Sequence, residues 1–209
     1  MVSRDRTPWR EARFVAVDLE TTGLDPRRDQ VLSFAAVPIE GGRIVAAGAV
    51  SGLVRPTAPP PAASIEIHGL READLATAPT EQEAMAQLVP VLDGRIPVAH
   101  AAWVERGFLG PRLKAAGHRL ERRMIDTAVL WRALCILRGE RDPGWCALTA
   151  VAAALQVPSH RPHVAEGDAL TAAQAFLVLA TRFEARGHGT VGALRKADRT
   201  LPAYRIWHR

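Results

Sequence analysis

Lysine is almost missing from this 209-residue chain, which holds only Lys114 and Lys196 and carries its positive charge on arginine. Cysteine is equally scarce. Cys135 and Cys146 form neither a disulfide framework nor a zinc set, and two free thiols suit a reducing cytosol. Aromatic residues make up 5%, so the core must be aliphatic and rich in alanine. No apolar run approaches the roughly 20 residues of a membrane-spanning helix. The opening MVSRDRTPWREAR has no apolar signal-peptide centre. These absences exclude a disulfide scaffold, a zinc ribbon and a helical membrane protein, and the expectation is a cytoplasmic protein without a membrane partner.

What is present is ordinary for one domain with a real core, 48% hydrophobic and 23% charged. The net charge of +5 and a sequence pI near 10.2 suit an acidic partner such as nucleic acid. From Arg186 to Arg209 six basic residues face the single acid Asp198. We therefore expect a polar, mobile segment at 1–11, a domain at 12–185 and a basic tail at 186–209. Tyr204 and Trp207 in that tail are candidates for nucleic-acid or partner contact.

Arg13 to Leu19 reads as a strand with the unbroken apolar run Phe14–Val17, which suits a central position covered on both faces. Val31 to Ile39 is a second strand, Glu40-Gly41-Gly42 a hairpin loop and Arg43 to Val54 a third strand. The four prolines from Pro56 to Pro61 forbid regular structure. Alternation then follows. Helices are expected from Pro79-Thr80 to Leu92, from Ala101 to Ala116 with a break at Gly110-Pro111, from Asp126 to Leu137, from Ala147 to Leu155 and from Glu166 to Glu184. Short strands are expected at Arg95–Ala99 and Arg123–Ile125. A meander followed by alternation is a mixed α/β sheet with helices on its faces.

Two segments bear chemistry. In Asp18-Leu19-Glu20-Thr21-Thr22-Gly23-Leu24 the two acids lie two residues apart and project to the same side of a strand. Neighbouring carboxylates repel and resist burial, and a hard divalent cation offsets both costs. Alone, the pair is equally consistent with solvated acids at a strand end. In His163-Val164-Ala165-Glu166-Gly167-Asp168-Ala169 the imidazole and carboxylate converge if His163 lies in a loop and Asp168 in the first helical turn. A neutral imidazole there can accept a proton from water. A third segment, His100 to Leu109 with Glu105, is weak by itself, since a surface glutamate and a structural histidine explain it as well.

Together the three segments resemble the DEDDh group of the DnaQ-like 3′→5′ exonucleases, which includes the epsilon proofreading subunit of bacterial DNA polymerase III. Asp18 to Leu24 match the D-x-E-T-T-G-hydrophobic motif and His163 to Ala169 match H-x-A-x-x-D-A. Ile67-His68-Gly69-Leu70 and Ala78-Pro79-Thr80 match intervening signatures. The second motif, H-N-x-x-F-D, departs: Ala101 stands for the asparagine, Val104 for the phenylalanine and Glu105 for the aspartate, with Trp103 a candidate to supply lost apolar contact.

The resemblance implies a ribonuclease-H-like fold, a five-stranded mixed sheet of order 3-2-1-4-5 with the active site at the end of the first strand. It implies that Asp18, Glu20 and Asp168 hold two Mg²⁺ or Mn²⁺ ions. Glu105 would act directly or through water, and His163 would deprotonate the attacking water. Thr21, Leu24, His68 and Trp103 are expected to contact the terminal nucleotide. Asp126, at an Asp-Thr pair, is expected to be structural. The expected substrate is the 3′ end of a single or frayed DNA or RNA strand, the product a nucleoside 5′-monophosphate, and a DNA polymerase subunit the candidate protein partner. The rival reading is a catalytically weakened relative that binds nucleic-acid ends or a polymerase; an unrelated metal phosphatase ranks third.

Overall fold

The computed structural model describes residues 4–121 and 123–197. Its centre is β1 (Arg13–Thr21), paired antiparallel with β2 (Val31–Glu40) and parallel with β5 (Ile96–Ala99). β6 (Ile125–Asp126) continues the parallel side, and β3 (Arg43–Ile44) and β4 (Val50–Leu53) both pair with β2. The sheet has six strands in the order β3-β2-β1-β5-β6, with β4 beside β2. The fold class is the mixed α/β sheet expected, but the single third strand at 43–54 is a correction. Pro38 of β2 accepts the Val45 N–H through its carbonyl at 2.9 Å, and on that same side its nitrogen has no hydrogen to return. Pairing lapses there, the chain makes a 3-10 turn at Ala46–Gly48, and β4 resumes at Ala36↔Val50.

Helices cover both faces. β1 side chains alternate as a pleated strand must. Phe14 and Ala16 join one core with α5 (Thr127–Leu137), α6 (Leu148–Leu155) and α7 (Ala165–Glu184). Val15, Val17 and Leu19 join the other with α3 (Glu81–Leu92) and α4 (Trp103–Ala115). The even-numbered positions Asp18 and Glu20 therefore fall on the α7 side. Thr80 caps α3 in a capping box with Glu83. Two short helices, α1 (Ala62–His68) and α2 (Glu72–Leu75), occupy the stretch after the prolines.

Three further expectations change. The break at Gly110-Pro111 is not observed: α4 runs through Pro111, because Phe108, Leu109 and Leu113 on either side are buried together. The segment at 1–11 is not wholly mobile. Its described part forms 3-10 turns at Arg4–Arg6 and Trp9–Glu11, and Trp9 is 1% exposed, edge-on to Phe176. Finally, the chain is ordered past 186. α8 (Val191–Arg195) closes against the N-terminal segment through Val191 N–H to Thr7 O, and its Arg195 pairs with Asp5. Arg195 is thus an internal cation rather than part of a free basic tail. Residues 198–209, with Tyr204 and Trp207, lie outside the described residues. Among the described residues no helix is long and apolar enough to cross a membrane.

Candidate active site

The end of β1 delivers Asp18 and Glu20, and the first turn of α7 delivers Asp168. One carboxylate oxygen from each lies within 4.8 Å of the other two. The approach depends on Gly167: a Cβ there would sit 1.9 Å from the His160 carbonyl oxygen, so only glycine lets α7 start against the 160–163 loop. That loop is pinned by His160 N–H to Thr171 Oγ1 at 3.0 Å. His163 takes a left-handed φ of 60° and donates its backbone N–H to Asp168 Oδ2 at 2.8 Å. Its ring is exposed beside the acids. A non-glycine residue held in this region of backbone space marks a place where the surroundings dictate the conformation.

Glu105 enters from α4, 4% exposed, and its Oε2 finds no hydrogen-bond partner among the described residues. Burial, then Asp126 and Glu20, push its carboxyl well above the usual carboxylate range. Asp18 is raised the same way, by burial and then by Glu105, Glu20 and Asp168. Burial and the Asp168 charge push Glu20 up to about 7. Asp168 is raised by burial, with the His163 N–H working against that rise. Four crowded oxygen-donor groups unwilling to ionise together fit a hard divalent cation, which would supply the missing positive charge.

The turn after β1 is built from its own side chains. Thr21 Oγ1 donates to the Gly23 carbonyl at 2.6 Å, and Thr22 Oγ1 donates to Asp29 Oδ1 at 3.0 Å. Asp29 Oδ2 accepts the Asp25 N–H, and a Cβ on Gly23 would lie 2.5 Å from that oxygen. This leaves Leu24 63% exposed at the tip. His68, at the end of α1, accepts the Leu70 N–H on Nδ1 at 3.0 Å. Burial and the His163 charge lower its pKa, and its buried Nε2 has no partner among the described residues. His68, Glu20 and His163 line one cavity of about 190 Å³ with Ser33, Ser51 and Leu53 of β2 and β4.

Trp103, expected to supply packing in place of Val104, is instead 39% exposed, while Val104 packs against the α3–α4 core. Asp126 has the structural place expected for it. Its carboxylate accepts N–H groups from Ala101 and Ala102 at 3.3 and 2.9 Å and from Ala128 and Val129 at the start of α5. His100 is fully engaged, Nε2 donating to the Cys146 carbonyl at 2.8 Å and Nδ1 pairing with Thr127 Oγ1 at 2.9 Å. Asp29 and Arg112, which donates to the Asp29 carbonyl at 3.2 Å, escape a reading of the sequence. Asp29 could have been found as the acceptor that a Thr-Thr-Gly turn needs; Arg112 leaves no local signal.

A mixed sheet whose central strand ends among buried acids belongs to a class of nuclease folds. The chain belongs to the exonuclease family, whose RNase T family model matches residues 15–176, in line with the DnaQ-like resemblance of its motifs. A DNA polymerase III subunit epsilon-like protein of Rhodobacter capsulatus is 35% identical over 189 residues, 90% of this chain and 26% of that protein. The PolC-type DNA polymerase III of Thermotoga maritima is 31% identical over 94% of this chain and 14% of its own length. The 3′-5′ exonuclease DinG of Bacillus subtilis is 29% identical over 88% and 19%. The chain thus spans about a quarter or less of these relatives. Among solved structures, E. coli exonuclease I in complex with a dT13 oligonucleotide superposes with TM-score 0.71 at 15% identity, covering 84% of this chain and 42% of that one. Exonuclease X in complex with 5′-overhanging duplex DNA gives 0.63 at 23%, covering 90% and 99%. These two likenesses speak for the fold.

Proposed function

We propose that the chain hydrolyses the terminal phosphodiester of a nucleic-acid strand from its 3′ end and releases nucleoside 5′-monophosphates. The observation that carries this is the meeting of Asp18, Glu20 and Asp168 within 4.8 Å, with buried Glu105 behind them and His163 beside them. Asp18, Glu20 and Asp168 would hold the divalent ions, two Mg²⁺ or Mn²⁺. When bound, such ions stabilise charge on the attacking and leaving oxygens of an in-line displacement. The chain's own residues do the rest. His163 takes the proton of the attacking water, and the loop that strains its backbone fixes where the ring stands. Glu105 orients that water from the α4 side. Thr21 and Leu24 from the turn, His68 from the cavity wall and Trp103 from α4 hold the terminal nucleotide, with the His68 Nε2–H an unspent donor for it.

The 3′→5′ direction is supported by the DinG relative, and single-stranded DNA as substrate by the strand held in the exonuclease I complex. Association with a DNA polymerase rests on the named relatives, and co-purification with a polymerase tests it.

The test is digestion of labelled DNA and RNA strands with free or blocked 3′ ends, with Mg²⁺ and with Mn²⁺. Mononucleotide release from free 3′ ends, lost on blocking and reduced at least a hundredfold by Asp18→Ala or His163→Ala, is expected. Internal cuts, or turnover indifferent to both substitutions, would refute the proposal. The departures at Ala101, Val104 and Glu105 favour one second reading, a weakened relative that only binds strand ends. That reading predicts strand affinity with no metal-dependent release, and no rise in turnover for Glu105→Asp.

A further inference from the structure

The loop joining α5 to α6 bears Trp145, 63% exposed and the most exposed tryptophan among the described residues. A single apolar side chain in water is ordinary. This one is unusual because the backbone is fixed on both sides of it. α5 starts at the active-site end of the sheet and runs away for about 16 Å, from 1.5 Å per residue. The loop then returns. Arg132 donates through both Nε and Nη2 to Asp142, and Asp142 Oδ1 accepts the Gly144 N–H at 2.9 Å. On the far side of Trp145, the Cys146 carbonyl is held by His100 Nε2 at 2.8 Å, while Thr127 holds the other ring nitrogen. His100 and Thr127 directly follow β5 and β6. Trp145 is therefore hung from the ends of β5, which lies beside β1, and of β6 beyond it, and its ring stands edge-on to His100, centroids 6.4 Å apart. The parallel register of β1 and β5, Ala16↔Val98, continued by two residues sets His100 beside Asp18. The indole thus stands at the rim of the acid cluster on the β5–β6 side, whereas the cavity with His68 is built on the β2–β4 side.

In sequence Trp145 sits between Gly144 and Cys146, and the same loop carries the charged Arg141 and Asp142. An exposed π-face on a loop tied down on both sides, next to the acid cluster, fits a nucleobase, and stacking on it is tolerant of sequence. We propose that Trp145 is a stacking platform for one base of the incoming single strand, upstream of the bond that is cut. This inference rests on the exonuclease reading above: the terminal nucleotide occupies the β2–β4 side, and the strand leads away across the β5–β6 side. Trp145 contributes binding and register, with no part in bond breaking. His100 and Asp142 are positioning residues for it.

Steady-state digestion of single strands tests this with wild type, Trp145→Ala and Trp145→Phe, using substrates that carry one abasic site at successive positions. Trp145→Ala is expected to raise KM about tenfold while kcat stays within about twofold, and Trp145→Phe to retain most of the affinity. One abasic position is expected to reproduce the loss in wild type and to have little further effect in Trp145→Ala. An unchanged KM, or abasic losses that add in full to the substitution, would overturn the platform. If Trp145→Ala fails to melt cooperatively, the wild-type abasic scan decides, and no sensitive upstream position means no platform. Failure of the exonuclease reading is separate: it is seen as undiminished release by Asp18→Ala, whatever Trp145 does.

Discussion

Ala101 shows how a single side chain records the history of a site. Its φ is 61°, and both its N–H and that of Ala102 point to Asp126. A residue with a Cβ is strained there by about 1 kcal/mol, and asparagine tolerates the conformation better. Ala101→Asn is therefore expected to stabilise the fold by about 0.5–1 kcal/mol, or a rise of about 1–4 °C in melting temperature for a domain of this size. Calorimetry at fixed pH and metal concentration checks it; a fall would mean that the added amide has no room. The sequence discloses that Ala101 replaces the family's asparagine, but it cannot disclose the φ that makes the replacement costly. Asp18, Glu20 and Asp168 are legible for the opposite reason, because strand periodicity and helix-end chemistry are local. Trp145 is illegible because its meaning comes from His100, a residue 45 positions away whose ring pairs with the neighbouring Cys146 carbonyl.

At the level of elements, the site depends on how α4 meets the turn after β1. A Cβ at Gly107 would lie 2.7 Å from Pro26 Cγ, while Arg112 from the same helix reaches the Asp29 carbonyl. Gly107→Ala gains about 1 kcal/mol of helix propensity but forces the turn outward, and overpacking costs about 1–3 kcal/mol. Net stability should fall by no more than about 2 kcal/mol. Activity should fall further, since a displacement near 1 Å can cost on the order of a hundredfold in rate. Measured together, kcat/KM on a short strand should drop at least tenfold while the melting temperature shifts by only a few degrees. Equal wild-type kinetics would show that the turn does not depend on this contact. Periodicity revealed α3, α5 and α7, whose apolar faces repeat over many residues. It missed α1 and α2, which have too few turns to show a period. It also missed the lapse of the third strand, because the cause, Pro38, sits on the partner strand.

For the whole molecule, folding gathers acids that the unfolded chain keeps apart, and this links stability to pH. Glu20 is raised from an ordinary 4.5 to about 7, so between these values the folded chain holds a proton that the unfolded chain has released. The associated stability is fully present below about pH 4.5 and is lost as pH rises through 7. Asp18 and Glu105 shift in the same direction and add to the loss. At 1.36 kcal/mol per unit, Glu20 alone accounts for about 3 kcal/mol. His68 and His100 are lowered and act oppositely below about pH 6.5, so a raw pH profile mixes both effects. Glu20→Gln removes one carboxylate and leaves the imidazoles. In metal-free buffer its melting temperature relative to wild type is expected to rise by roughly 5–10 °C between pH 4.5 and pH 8. Millimolar Mn²⁺ should stabilise wild type more at pH 8 than at pH 5.5, since ligation requires ionised carboxylates, and should stabilise Glu20→Gln less. A difference between the two proteins that is flat with pH would mean that Glu20 is not held among unwilling acids. A Mn²⁺ response equal in both would mean that it is not a ligand.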